Sequence, residues 1–452
     1  MIRDVILLAT VILLAGGARS FLPADATMTG SGAALAVSFV LLAAIYSGRI
    51  FHRLKLPHLT GFLLCGVALG PEVSGALTGG MLHDLSLVKR VAVGLIALVA
   101  GCELNLRALR PRMRPIGMQA AGGLGLAGLG LFVFFWLVLP HLPGTAELAG
   151  SQRAAVALVL ATVLCALSPA VVIGLLSETR SSGPLSETTL SIVVLADLAI
   201  VVAFTAANAV AGSAFATEGA PAAGGFGTLA VHLGGSALVG ALLGGVLAVY
   251  VVRVGRRVAL FVFSVLFVVA EAGVAVHLDP LLVGLAAGLV LENASPVSGG
   301  RVVRETEPAT VPVFALFFGV VGAEIHLRQF WAMAGWAVAA ATLRALAFVV
   351  GTRLGGRAAG VDPALTRRLP HGMISQAGVA LALADLLAGS PEPWSRAIAP
   401  LIFGTIFVNQ LVGPVLFRLA LVSAGEVGRK IVDDGDVPAS PHAQADVQSA
   451  GS

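Results

Sequence analysis

Apolar residues in this chain gather into long runs that short polar segments separate. Many runs hold close to twenty residues, the length that a helix needs to cross the hydrocarbon core of a membrane. The pattern predicts an all-α polytopic membrane protein with about thirteen transmembrane helices. We place them at residues 32–48, 57–71, 87–106, 115–139, 153–177, 185–211, 226–252, 258–277, 279–292, 308–326, 330–352, 371–388 and 397–422.

The two ends of the chain are predicted to lie outside this bundle. Within residues 1–26, a short apolar run precedes small residues, a pattern typical of either a signal peptide or an additional N-terminal helix. Residues 423–452 are polar, with clustered acids and prolines, and are predicted to form a disordered cytoplasmic tail. The transmembrane domain is expected to occupy residues 32–422.

Composition and charge agree with a membrane protein. The chain is 57% hydrophobic and 12% charged, whereas soluble proteins carry about 25% charged residues. Most of the 28 Lys and Arg residues fall in alternate loops, which predicts a cytoplasmic C-terminus. We expect the protein to lie in a bacterial-type inner membrane. No nucleophile–histidine pairing, metal-ligand cluster or phosphate loop is evident, so an enzyme is not expected.

One segment occurs twice in the sequence. Residues 101–109 (GCELNLRAL) recur at 322–330 (GAEIHLRQF), and the preceding helices also match at nearly the same offset. By our helix count the two copies begin seven helices apart, so the second copy is inverted in the membrane. We expect two inverted five-helix repeats, 57–211 and 279–422, joined by linker helices within 226–277. Inverted repeats of this kind are a hallmark of secondary transporters, whose binding site lies at the midplane.

Two charged residues lie in the middle of apolar runs. Asp197 is flanked by apolar residues on both sides, and a carboxylate at bilayer depth usually faces a cavity and has a function. Arg344 lies near the centre of another span and must meet a carboxylate, a carbonyl or water. We predict that Asp197 binds the transported ion or proton. Arg344 is expected either to pair with Asp197 or to hold a helix crossing together.

The fourth helix of each repeat is predicted to be broken. In the first repeat Ser168 precedes a proline that removes a backbone donor, and in the second Ser375 and Gln376 lie between two glycines. Broken helices at this depth line protein-covered cavities, and their free carbonyls can bind small ions. We therefore expect Ser168, Ser375 and Gln376 to complete an oxygen shell around the ion, with Glu271 as a further acid in the cavity.

Taken together, these motifs resemble the monovalent cation:proton antiporter superfamily over roughly residues 32–422. The resemblance rests on the order and spacing of segments 56–71, 101–104, 167–170, 195–197, 322–327 and 375–379, together with Arg344. It implies crossed broken helices, a mobile core domain moving against a dimerisation domain, and a homodimer. The family usually carries Asp-Asp or Asn-Asp at the ion site. Here Ala196 takes the first position, which is closer to the electroneutral form.

The function expected from this resemblance is secondary active exchange of Na⁺ or K⁺ for H⁺ by alternating access. Apart from the transported cation and proton, no cofactor and no nucleic acid is expected. Other functions on the same scaffold are a channel-like cation pathway and an organic-anion symporter. A non-transporting membrane sensor is a third alternative, because the first acidic position of the ion site is missing.

Overall fold

The computed structural model describes residues 4–11, 14, 31–215, 226–276, 278–295, 299–325, 327–388 and 392–429. Within these ranges the chain forms helices and loops without strands. The helices are α1 Ser31–Arg53, α2 His58–Leu69, α3 Gly79–Asp84, α4 Ser86–Glu103, α5 Leu106–Leu109, α6 Met113–Val138, α7 Gly150–Cys165, α8 Pro169–Thr179, α9 Pro184–Phe215, α10 Phe226–Arg253, α11 Val258–Ala275, α12 Pro280–Ala294, α13 Gly300–Ala323, α14 Leu327–Ala358, α15 Pro363–Arg368, α16 Gly378–Ala388 and α17 Pro393–Ala424. Short 3-10 turns occupy Arg110–Arg112, Leu139–His141 and Leu369–Met373.

The helices support the multi-pass membrane architecture. Nine helical spans in the described ranges are long and apolar enough to cross a membrane, or ten if the bent pair Pro363–Met373 and Gly378–Ala388 counts as one. His58–Leu69 and Pro280–Ala294 are apolar but shorter. The all-α prediction is confirmed, and each of the predicted spans overlaps a helix or a helix pair. The exact number of thirteen crossings stays a prediction.

Only part of each chain end falls within the described residues. Residues 4–11 are helical, and Asp4 is buried with a carboxylate oxygen 3.0 Å from a guanidinium nitrogen of Arg53. Val11 packs into an apolar cluster with residues of α1 and α2. Most of the predicted signal peptide or extra helix, and the predicted tail beyond residue 429, lie outside the described residues.

Close helix packing occurs at the duplicated segment. Helix α4 packs on α12 so tightly that a Cβ atom on Gly101 would collide with the Leu285 carbonyl. Helix α13 packs on α2 in the same way, because a Cβ on Gly322 would collide with the Leu63 carbonyl. Gly322 is the counterpart of Gly101, and Leu63 is the counterpart of Leu285. The two copies of the duplicated segment therefore make the same type of contact.

A third pair of helices, α6 and α14, also meets through glycines. A Cβ on Gly122 of α6 would collide with the carbonyl of Gly351 on α14, and a Cβ on Gly351 would collide with the carbonyl of Gly122. Small residues allow membrane helices to approach until their backbones touch, and van der Waals packing then holds them. This contact brings the middle of α14, where Arg344 lies, beside the helices of the first repeat.

Gly122→Val is expected to lower the melting temperature of the detergent-purified protein. The added side chain meets backbone rather than a side chain that can turn away, and overpacking typically costs about 1–3 kcal/mol or more. Gly125→Val on the same helix is the matched control, because a Cβ there meets nothing within 4 Å. Equal melting temperatures for both variants would contradict this packing.

Candidate ion-binding site

The site is built around a buried guanidinium. Arg344 is fully buried and donates hydrogen bonds to four main-chain carbonyls. Its Nε lies 2.5 Å from the Leu164 oxygen and one Nη lies 2.9 Å from the Ala166 oxygen, both where α7 ends. The other bonds reach the oxygens of Ile374 at 2.7 Å and Met373 at 3.2 Å, just before α16 begins. One side chain thus joins both broken segments.

Gln376 adds a second bridge between the broken segments. Its amide nitrogen donates to the oxygens of Leu164 at 2.9 Å and Ala166 at 3.2 Å, and its amide oxygen accepts from Asn409 of α17 at 2.7 Å. Gln376 is fully buried. Because both ends of the amide have partners, its contribution in this conformation is to hold the crossing together.

The local sequence explains why these carbonyls are free. The last carbonyls of a helix have no partner within it, and α7 ends at Cys165 before an extended stretch through Ser168. Pro169 begins α8 without a backbone N–H, and the Ser168 hydroxyl caps that helix by accepting from the Val171 N–H at 3.3 Å. In the second broken segment, Ser375 is buried against Gly413 of α17, where a Cβ would collide with the serine hydroxyl.

Asp197 lies on α9, which packs against α7 and α8. The residue is 3% exposed, and neither carboxylate oxygen has a hydrogen-bond partner among the described residues. Such a group is rare, because burying an unpaired charge is costly unless a proton or a cation neutralises it. A small ion or proton is the natural partner for this oxygen pair.

A second acid, Asp279, interacts electrostatically with Asp197. It caps α12 by accepting from the N–H groups of Leu281 at 2.8 Å and Leu282 at 3.3 Å. The side chain of Leu281 lies 3.6 Å from the position that a Cβ on Gly378 would take, so the start of α12 adjoins the second broken segment. Asp279 lies outside the sequence motifs that indicate the ion site, although Asp followed by Pro at the start of a span is a recognisable helix start.

A cavity of about 890 Å³ opens between α2, α4, α8 and α13. Charged residues line its mouth, including Glu103, Glu178, Arg180, Arg304 and Glu307. Val99 and Phe314 line both this cavity and a small apolar void beyond it. Asp197 is not among the residues that line either of them.

Comparison with known proteins identifies the family. The family model described as "Sodium/hydrogen exchanger, transmembrane" matches residues 37–422. This chain belongs to that exchanger family. The family resemblance inferred from the sequence motifs is thereby confirmed, and the family is one of membrane transporters rather than enzymes.

Individual relatives of this exchanger are distant. It is 29% identical over 169 residues to "Iron transporter MagA" of Paramagnetospirillum magneticum, a match covering 36% of this chain and 35% of that protein. It is 27% identical over 154 residues to "Probable Na(+)/H(+) antiporter GerT" of Bacillus cereus, covering 33% of this chain and 36% of that protein. Each match thus spans about a third of the curated relative's length.

Solved structures of one archaeal protein share the fold. The sodium proton antiporter MjNhaP1 from Methanocaldococcus jannaschii at pH 8 superposes with a TM-score of 0.63 and 16% identity, over 86% of this chain and 95% of that one. A second structure of MjNhaP1 gives a TM-score of 0.66 and 15% identity, over 88% and 97%. At 15–16% identity, this similarity supports a shared fold and nothing about function.

Two sequence-based expectations for the exchanger differ from the structure. Glu271 does not line the cavity: its carboxylate is 68% exposed on α11 and lies 4.0 Å from Arg90. An acid inside an apolar helix can satisfy its charge at the helix surface, and the sequence does not show which face is inward. Of the two roles expected for Arg344, the structure shows the helix crossing, and no ion pair joins it to Asp197 among the described residues.

Arg344→Leu is expected to destabilise the exchanger by at least about 3 kcal/mol, because four buried carbonyls lose a charged donor worth about 1.5–3 kcal/mol per hydrogen bond. The measurement is the melting temperature in detergent. The matched control is Arg357→Leu, which removes an exposed arginine from the end of the same helix. If both variants melt like the unmodified protein, the guanidinium does not hold the crossing.

Proposed function

We propose that this exchanger moves a monovalent cation, Na⁺ or K⁺, in one direction and H⁺ in the other by alternating access. The observation that carries the proposal is Asp197, a buried carboxylate without a hydrogen-bond partner among the described residues. In water-poor surroundings this oxygen pair is stable when a proton or a cation neutralises it. Because both bind the same two oxygens, each excludes the other.

The coupling follows from this competition. If only the neutralised site crosses the apolar barrier, each crossing carries either one cation or one proton, and the gradient of one drives the other. The charge of Arg344 faces the carbonyls of the crossing, so it does not compensate Asp197 directly. With Ala196 in place of a second acid, the exchange we propose is one for one and electroneutral.

Further oxygens complete the ion site in this proposal. Ser168 and Ser375 lie at the two breaks, and main-chain carbonyls of the broken segments are the type of hard ligand that small cations prefer. Gln376 and Arg344 position these segments through hydrogen bonds. We assign them a structural role at the site, and assign ion and proton binding to Asp197.

The wider architecture of the proposal consists of two inverted repeats, 57–211 and 279–422, in a homodimer. The exchanged glycine contacts of α4 with α12 and of α13 with α2 support the repeat. Alternating access then arises when the broken helices and α9 move against α2, α4 and α13, the other helices that line the cavity. We place the protein in a bacterial-type inner membrane with its C-terminus in the cytoplasm, where the Arg-lined cavity mouth would also open.

Asp197→Asn is expected to abolish cation-dependent proton movement in reconstituted vesicles, measured by dequenching of a pH-sensitive dye after Na⁺, K⁺ or Li⁺ is added. The amide keeps the size of the side chain but cannot exchange a proton for a cation, so folding should be retained. Glu271→Gln is the matched control, because that acid lies at the surface and should not be needed. Exchange that persists in Asp197→Asn would refute the proposal.

The same assay separates the alternatives. A channel-like pathway would pass the cation without a proton flux that follows it in fixed ratio, and an organic-anion symporter would require an added anion. A sensor would show neither flux.

Asp279→Asn is expected to raise the cation concentration for half-maximal exchange about three-fold or more. Asparagine caps a helix as well as aspartate does, so the variant removes the charge and keeps the cap. A three-fold change corresponds to about 0.7 kcal/mol of lost attraction between this carboxylate and the bound cation, since about 1.4 kcal/mol is a factor of ten. An unchanged half-maximal concentration would show that Asp279 acts only as the cap of α12.

A further inference from the structure

Three side chains of types that can bind a metal come together beside the cavity, and none of them belongs to the candidate ion site. His52 lies in the last turn of α1, His58 is the first residue of α2, and Glu178 lies in the last turn of α8. One ligand atom from each lies within 4.8 Å of the other two. Among the described residues, no other group of three or more His, Cys, Asp or Glu side chains meets this distance condition.

Glu178 is already fixed by the protein around it. Its two carboxylate oxygens each lie 3.0 Å from the backbone nitrogen of His58, and one lies 2.9 Å from the His58 Nδ1. The Glu178 side chain is 9% exposed and that of His58 is 30% exposed. A carboxylate and an imidazole nitrogen are therefore held side by side, at a separation close to that of adjacent ligands on one ion, about 3.4 Å for tetrahedral zinc.

His52 supplies the third ligand. Its ring stacks on that of His58, with centroids 4.5 Å apart and an angle of 7° between the planes. A neutral imidazole offers a lone pair to a metal, so the proton between the His58 Nδ1 and Glu178 would leave to water when the metal binds. His52 is exposed and can turn about its side-chain bonds to direct a nitrogen toward the other two ligands.

The donor set selects a class of metal. Two imidazoles and one carboxylate suit Zn²⁺, Co²⁺, Ni²⁺ and Cu²⁺, whereas Mg²⁺, Ca²⁺ and alkali cations prefer sites made of oxygen. The three cysteines of the chain are buried, so they do not offer a competing surface site.

The position of the cluster has a structural consequence. Helix α8 continues from the broken segment at the ion site, while α2 packs on α13, and all three helices line the cavity. His58 and Glu178 both line that cavity. A metal bound here would tie α8 to α1 and α2.

We propose that His52, His58 and Glu178 form a site for a divalent transition metal of the Zn²⁺ class, and that the bound metal holds α8 against α2 at the mouth of the cavity. Metal binding does not depend on the exchange activity proposed above. The inhibition of transport that this holding would cause does rest on it.

The binding test uses the full-length protein, purified in detergent with a tag that contains no histidine and titrated with Co²⁺. The unmodified protein is expected to give saturable visible absorption from one Co²⁺ per chain. His52→Ala and Glu178→Gln should bind at least ten-fold more weakly, and Glu178→Gln keeps an oxygen that can accept from the His58 N–H. The matched control His83→Ala removes another exposed histidine and should bind like the unmodified protein. Absence of Co²⁺ binding, or equal binding by all four proteins, would overturn the site.

Zn²⁺ tests the holding role. Zn²⁺ is expected to raise the melting temperature of the unmodified protein and of His83→Ala, but not of His52→Ala or Glu178→Gln. In reconstituted vesicles, Zn²⁺ should slow cation-dependent proton movement at least five-fold in the unmodified protein and in His83→Ala, and should not slow it in His52→Ala or Glu178→Gln. Equal transport with and without Zn²⁺ would overturn the holding role. A protein that binds Co²⁺ in the expected pattern but shows no coupled flux without metal would contradict the exchange proposal and leave the metal site standing.

Discussion

The hydrogen bonds from Arg344 to four main-chain carbonyls are the interaction on which the rest of the site depends. Two helices can stop in the middle of an apolar bundle only if their free carbonyls find donors, because no water is available there. A guanidinium meets this need well, since it presents five N–H groups in a rigid plane and keeps its charge. Gln376 and Asn409 extend the same network to α17. The glycine contact between α6 and α14 lets these two helices approach until their backbones touch, and α14 carries Arg344.

In this arrangement no cationic side chain of the described residues pairs with Asp197. The positive charge of Arg344 is directed at carbonyl oxygens of the two broken segments. A carboxylate in such surroundings depends on a mobile partner for its stability. The exchange we propose needs no further catalytic group, because the mobile partner can be a proton on one crossing and a cation on the other. The surrounding helices then have to move so that the site is accessible first from one side of the membrane and then from the other.

The sequence predicted the helices and the two central charges because both leave one-dimensional signals. Apolar runs of membrane length reveal helices, and a charge such as Asp197 or Arg344 in the middle of a run has few structural explanations. Partners were harder to predict, because Arg344 meets the Leu164 carbonyl across 180 residues of sequence. Either role of Arg344 was compatible with its position in the chain. Hydropathy alone does not show which face of α11 points into the bundle. For that reason the sequence is compatible with Glu271 in the cavity, whereas the structure has its side chain exposed. Asp279 was missed because it begins a helix, where an acid usually has a local capping role.

The central claim is that one carboxylate, Asp197, binds either a proton or a cation. Isothermal titration calorimetry of Na⁺ and of K⁺ into the purified protein, repeated in buffers with different enthalpies of ionisation, measures the protons released for each cation bound. In a titration at a pH where Asp197 is protonated in the absence of cation, we expect about one proton to be released for each cation bound. Cation binding that releases no protons at any pH would contradict it.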